Sequence, residues 1–157
     1  MEPIAAPPLE VRRDEPPGQR SLQSLRAFAA GEVISPFRAA ATYAQAAQMT
    51  LQVSEHEHIT LTPEILTFTN HSCDPNAFFD VEQGALIALK PIAAGEAITF
   101  FYPSTEWTMA APFDCACGSP RCLRRIAGAS QMPERSLQGY RLTPHITRLL
   151  GQAARQR

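Results

Sequence analysis

No stretch of this chain is apolar for long enough to cross a bilayer, and its first residues, "MEPIAAPPLEVRRDEPPGQR", lack the apolar run of a secretory leader. The expectation is an intracellular protein, cytoplasmic or nuclear, with no membrane partner. Charge of one sign is also lacking. A formal net charge of −1 leaves no basic footprint, so direct binding of nucleic acid is not expected. No repeat of 20 to 50 residues is present, which excludes solenoids and propellers. There is no C-x-x-C pair, the usual signature of a redox-active dithiol. What is present is a chain of 157 residues, 45% hydrophobic and 18% charged, enough for one globular core.

Prolines at 3, 7, 8, 16 and 17 and the absence of an apolar period mark residues 1–19 as a flexible tail, mobile or loosely docked. From Ser21 short apolar stretches alternate with turns. Strands are expected at Glu32–Phe37, Thr50–Val53, Ile59–Leu61, Ala77–Val81, Ala85–Leu89 and Ala97–Phe101. Thr62-Pro63-Glu64 reads as a helix start with proline in the first turn, running to Phe68. Beyond Pro103 come a loop, a cysteine cluster and two helical patterns. The second opens at Thr143-Pro144 and carries Ile146, Leu149, Leu150 and Ala153 on one face, a stripe suited to covering a core.

The four cysteines are Cys73, Cys115, Cys117 and Cys122, three of them within "CACGSPRC". A structural zinc ion takes four ligands, and Cys73, inside "NHSC", is the remaining thiol that brings the count to four. Arg121, Arg124 and Arg125 would offset the negative charge of four thiolates. Reactive thiols, or cysteines that merely lie close in sequence, are the alternatives. His56, His58 and His145 show no spacing for a second metal and read as surface or strand residues, and Trp107 reads as packing.

Taken together and in order, Asn70-His71-Ser72-Cys73-Asp74-Pro75-Asn76, Gly95-Glu96-Ala97-Ile98-Thr99-Phe100-Phe101-Tyr102 and C-x-C-x4-C resemble the SET-domain protein lysine methyltransferases that carry a post-SET zinc motif. Arg20 to Ile34 resembles the family's first segment. The resemblance implies a mainly β fold of small curved sheets with a pseudoknot-like crossing, a post-SET zinc loop and short C-terminal helices. It divides the chain into a tail (1–19), a SET domain (20–103), a post-SET segment (104–128) and a helical extension (129–157). It also implies S-adenosylmethionine as cofactor, structural zinc on Cys73, Cys115, Cys117 and Cys122, and a lysine-containing protein or peptide as partner.

By the same resemblance Tyr102 is the catalytic tyrosine, and Asn70 and His71 are the cofactor-contacting pair. Ser21 and Leu22 stand in the first cofactor-lining segment, and Leu123 or Ile126 lies where an apolar residue meets the adenine. Phe100, Phe101 and Phe68, with Tyr43 as a further candidate, would line the lysine channel. Two departures are evident: Phe101 stands where aspartate is common, and the first segment's glycine-rich turn is reduced to "PGQRSL". Two functions therefore stay open at this point, an active lysine methyltransferase and a catalytically inactive, zinc-stabilised SET-like binding module.

Overall fold

The computed structural model describes residues 2–14 and 19–157. Among these residues twelve short strands are arranged in four small sheets. The first sheet contains β1 (Leu9–Asp14), β2 (Gln19–Ser24), β10 (Ala97–Phe100) and β7 (Asn70–His71), in the order β1-β2-β10-β7. β3 (Val33–Pro36), β9 (Ala85–Ala88) and β8 (Ala77–Asp80) form the second, and β4 (Arg38–Tyr43), β6 (Glu57–Thr62) and β5 (Leu51–Ser54) the third. β11 (Phe113–Asp114) pairs with β12 (Arg125–Ile126), and one helix, α1 (Pro144–Arg155), closes the chain.

The six expected strands are present, each within one or two residues of its expected ends. The tail is different. Residues 9–14 pair antiparallel with β2 from Leu9↔Ser24 to Asp14↔Gln19, and Leu9 is buried. Pro7 and Pro8 precede this edge strand, so they withdraw no donor from its ladder. Pro17 and Gly18 of the reduced turn lie outside the described residues. The turn after β6 is 3-10 (Glu64–Phe68) and is capped by Pro63 rather than Thr62. The first of the two expected C-terminal helices is instead a pair of 3-10 turns, Ala129–Gln131 and Glu134–Leu137.

Two cores result. Leu22, Ile34, Leu66, Phe79, Leu86, Ile92 and Ile98 fill the space between the three larger sheets. Phe101, Ala129, Leu137 and Ile146 form a second cluster with Trp107, Leu123, Tyr140, Leu142 and Leu150 against it. Burial of each such side chain contributes about 1.5–3 kcal/mol. The apolar stripe of α1 faces this second cluster. Thr143 anchors the helix start: its hydroxyl donates to the Ser104 carbonyl (2.7 Å), while the ring of His145 bonds the Thr105 carbonyl (2.8 Å). His145 is thus fully buried in the helix, contrary to the surface or strand position expected of it. His58, on β6, is buried as well, and His56 is exposed.

Candidate active site and metal centre

β7 is only two residues long, yet it joins the halves of the site. It runs parallel to β10, with Asn70 opposite Thr99 and His71 opposite Phe100. Asn76 holds that register from below: its side chain accepts from the Thr99 N–H (2.9 Å) and donates to the Ala97 carbonyl (2.8 Å). Asn70 is exposed and donates to the Arg20 carbonyl of β2 (2.6 Å). The segment that follows carries Cys73 to the far end of the chain.

The four sulfur atoms all lie within 4.8 Å of one another, with Cys73 and Cys115 3.9 Å apart. Tetrahedral zinc with bonds of about 2.3 Å sets its sulfurs about 3.8 Å apart, so the four cysteines form a cluster that could hold zinc. None is in a disulfide. Burial pushes the Cys73 thiol up to about 11, although the Leu123 N–H, 3.3 Å from its sulfur, favours the thiolate. Burial also opposes ionisation of Cys117, but main-chain bonds at Cys73 and Ser119 and the neighbouring thiols bring it down to about 6. A bound cation would favour thiolate throughout. Of the three arginines, Arg121 reaches the cluster's backbone, donating to the Cys73 carbonyl (2.9 Å), and Arg125 pairs with Asp114 instead (3.1 Å).

His71 connects this centre to Tyr102. Its Nδ1 accepts the Tyr102 N–H (3.1 Å), which leaves the proton on Nε2, facing the Cys73 sulfur at 3.3 Å. Burial lowers the imidazole to about 4, so the ring is neutral at physiological pH. The Tyr102 ring lies edge-on to His71 (5.3 Å between centroids), tilted against Phe100 (4.8 Å) and edge-on to Phe113 (5.8 Å). Burial and then the charge of Glu106 raise the Tyr102 phenol to about 12, and the main chain of His71 partly offsets them. It is therefore a neutral hydroxyl, held between the His71 backbone and the cavity described next.

That cavity, of about 550 Å³, lies on one side of Tyr102. Leu51, Leu61, Leu66, Phe79 and Phe100 make its apolar walls, and residues 46–50 and 108–111 flank it. The second flank is fixed from the C-terminal side. Gly128 packs so tightly that a Cβ there would fall 2.4 Å from the Trp107 carbonyl, while Gln131 Oε1 accepts from both the Gly128 N–H (2.8 Å) and the Met109 N–H (2.9 Å).

Phe100 and Tyr102 line this cavity. Phe101 does not: its ring stacks on Tyr140 at 3.7 Å, within the second core. Adjacent residues of an extended chain point to opposite faces, so Phe100 and Phe101 could not both line one channel. Phe68 also turns away, and the Arg20 guanidinium lies 5.3 Å from its ring centroid. Tyr43 is exposed on β4 and absent from the cavity walls. Leu22 and Ile126, both fully buried, have side chains committed to packing, whereas Leu123 is partly open beside Cys73 and Ser21 lies buried on β2. Sequence reasoning missed Phe113, Tyr140 and Glu106. Tyr140 is held by its hydroxyl, which donates to the Cys73 carbonyl (2.5 Å), and by Arg121 over its ring (4.6 Å). The weak signal for Glu106 was an acid four residues after the candidate tyrosine.

Comparison with known proteins decides the family. The SET domain family model matches residues 19–103. The chain belongs to the SET-domain family. It is 37% identical over 144 residues to "Methyltransferase flvH" of Aspergillus flavus, covering 90% of this chain and 80% of that protein. It is 36% identical over 95 residues to a "Histone-lysine N-methyltransferase, H3 lysine-36 specific" of Candida glabrata, covering 57% of this chain but only 13% of that relative. This SET protein is thus a member of a methyltransferase family, with a cysteine cluster suited to zinc.

Its fold is like that of KRYPTONITE in a crystal structure with mCHH DNA, an H3(1-15) peptide and SAH, with a TM-score of 0.58 and 21% identity over 76% of this chain and 29% of that one. That crystal structure also contains DNA, so the expectation that nucleic acid is no partner gains no support from it. Among the described residues, no helix is long and apolar enough to cross a membrane.

Proposed function

We propose that this SET protein is an S-adenosylmethionine-dependent protein-lysine N-methyltransferase. The observation that carries the reading is the position of Tyr102: its buried, neutral hydroxyl lies between the main chain of His71 and an apolar cavity of about 550 Å³. S-adenosylmethionine would supply the sulfonium methyl group. Asn70, the β2 edge at Arg20 and Ser21, and Leu123 are the residues proposed to hold it. Zinc on Cys73, Cys115, Cys117 and Cys122 would keep the post-SET segment against that site.

The acceptor lysine would enter through the cavity, its stem on Leu61, Leu66 and Phe100. Methyl transfer is an in-line displacement, so the protein's part is alignment and exclusion of water. Once the lysine is seated beside the sulfonium, that charge and the apolar walls disfavour its ammonium form, and the free amine left when the proton passes to solvent is oriented by the Tyr102 hydroxyl. The phenylalanine at 101 tells little against activity, because its ring packs on Tyr140 and lies outside the cavity. The partner is a lysine-containing protein or peptide, and a cytoplasmic or nuclear place of action goes with it.

The test is incubation of the zinc-loaded chain with methyl-labelled S-adenosylmethionine and a cell lysate, beside Tyr102→Phe. Labelled lysine in a protein band is expected from the wild type. The variant should lose transfer by about 100-fold, the scale of a misplaced reactant, with S-adenosylhomocysteine affinity nearly unchanged. Label on no protein, or equal rates for the two, would refute the proposal.

A further inference from the structure

The cavity beside Tyr102 has one carboxyl group among its wall residues, that of Glu106, and no lysine or arginine among the described residues lining it. The carboxyl is held by one oxygen only. Oε2 accepts from the Gln52 N–H (3.0 Å) and from the Thr105 hydroxyl (2.7 Å). Among the described residues no donor reaches Oε1. Gln52 is itself fixed, because its side chain accepts from the Trp107 N–H (2.9 Å) and donates to the Ser54 carbonyl (3.0 Å).

Such an arrangement has a chemical implication. A partly buried carboxylate loses hydration and regains it only through donors, and an oxygen without a protein donor, on a residue that lines the cavity, is satisfied most strongly by a cation that can also hydrogen-bond. Burial already pushes the Glu106 pKa above the ordinary carboxylate range, with the Thr105 hydroxyl and the Gln52 N–H partly offsetting it. Glu106 is also close enough to Tyr102 for its charge to disfavour the phenolate.

We propose that Glu106 is the charge-recognition residue of the acceptor site, so that the cavity selects primary ammonium groups by pairing them with Oε1 before methyl transfer. This rests on the reading above that an amine acceptor enters this cavity. The apolar walls take the alkyl stem and Glu106 reads the charge at its end. An acceptor with the same stem and no charge gains nothing from it.

A purely structural role is separable, since Glu106 also ties the turn after β10 to β5. Glu106→Gln keeps an oxygen where Oε2 stands and changes only the group at Oε1, so a brace would survive it.

The experiment uses the zinc-loaded full chain saturated with S-adenosylhomocysteine and labelled at its methionine methyl groups; Met49 and Met109 line the cavity and report on its occupancy by NMR. The probes are N-acetyl-lysine methylamide and its uncharged counterpart, N-acetyl-norleucine methylamide. The lysine probe should shift both methionine signals saturably, bind Glu106→Gln at least tenfold more weakly, and bind Glu106→Asp with intermediate affinity. The norleucine probe should bind wild type and Glu106→Gln alike. Equal affinity of the lysine probe for wild type and Glu106→Gln, or no shift of Met49 and Met109 in the wild type, overturns the assignment. S-adenosylhomocysteine binding, measured by calorimetry on the same samples, separates the two levels. Its absence in the wild type removes the methyl-transfer reading and the inference with it, whereas its presence with a charge-indifferent cavity removes Glu106 alone.

Discussion

Replacing Cys73 by serine removes the one sulfur that joins the middle of the chain to its tail. Cys73 and Cys115 are 42 residues apart in sequence and 3.9 Å apart in space. Treated as a cross-link through a shared ion, closing a loop of that length removes about 4 kcal/mol of unfolded-chain entropy. In a chain of this size that corresponds to a fall in Tm of roughly 8–16 °C. Further loss comes from the orphaned Leu123 N–H and from His71, whose Nε2–H faces the Cys73 sulfur. The assay is thermal unfolding at fixed free zinc, together with metal analysis after dialysis. Wild type should hold about one zinc per chain, and chelation should lower its Tm nearly to that of Cys73→Ser. A variant that melts within a degree or two of wild type and keeps its zinc would refute the cross-link.

Two other outcomes follow from the burial. Phe101→Asp restores the residue common in the family but buries a carboxylate against Tyr140 without a partner; a loss of about 3–5 kcal/mol is expected from the missing ring alone, with more from the charge, and a stable Phe101→Asp chain in urea unfolding would contradict the stacking. Glu106 gives a pH signature. Its folded-state pKa is raised, so the folded chain holds that proton more tightly than the unfolded chain, and this stability is complete at low pH and lost as the pH rises through the raised value. Glu106→Gln never ionises and should therefore melt above wild type at pH 8, with the gap closing towards pH 4. A gap of opposite sign, or one independent of pH, would contradict it.

Much of the site could be read from the chain because its groups fall in short contiguous motifs. Asn70, His71 and Cys73 fall within four consecutive positions, and the remaining thiols fall within eight. The closure of Cys73 onto the other three is implied by the ligand count of structural zinc alone. What escaped the reading depended on direction. Phe100 and Phe101 are equally apolar, and only the alternation of an extended chain sends one to the cavity and the other to Tyr140. Leu22 and Ile126 belong to segments that the family resemblance places at the cofactor, but both side chains are fully buried. β1 is masked in the sequence by prolines that flank it rather than interrupt it. Glu106 carried no motif, and its meaning comes from Gln52, more than fifty residues upstream.

The measurement that bears most directly on the account is a diffraction experiment at the zinc edge on crystals grown with S-adenosylhomocysteine. The prediction is one anomalous peak bonded to Cys73, Cys115, Cys117 and Cys122, with the nucleoside against Asn70 and His71 and its sulfur facing the Tyr102 hydroxyl. A peak lacking Cys73, or a nucleoside bound away from Tyr102, would contradict it.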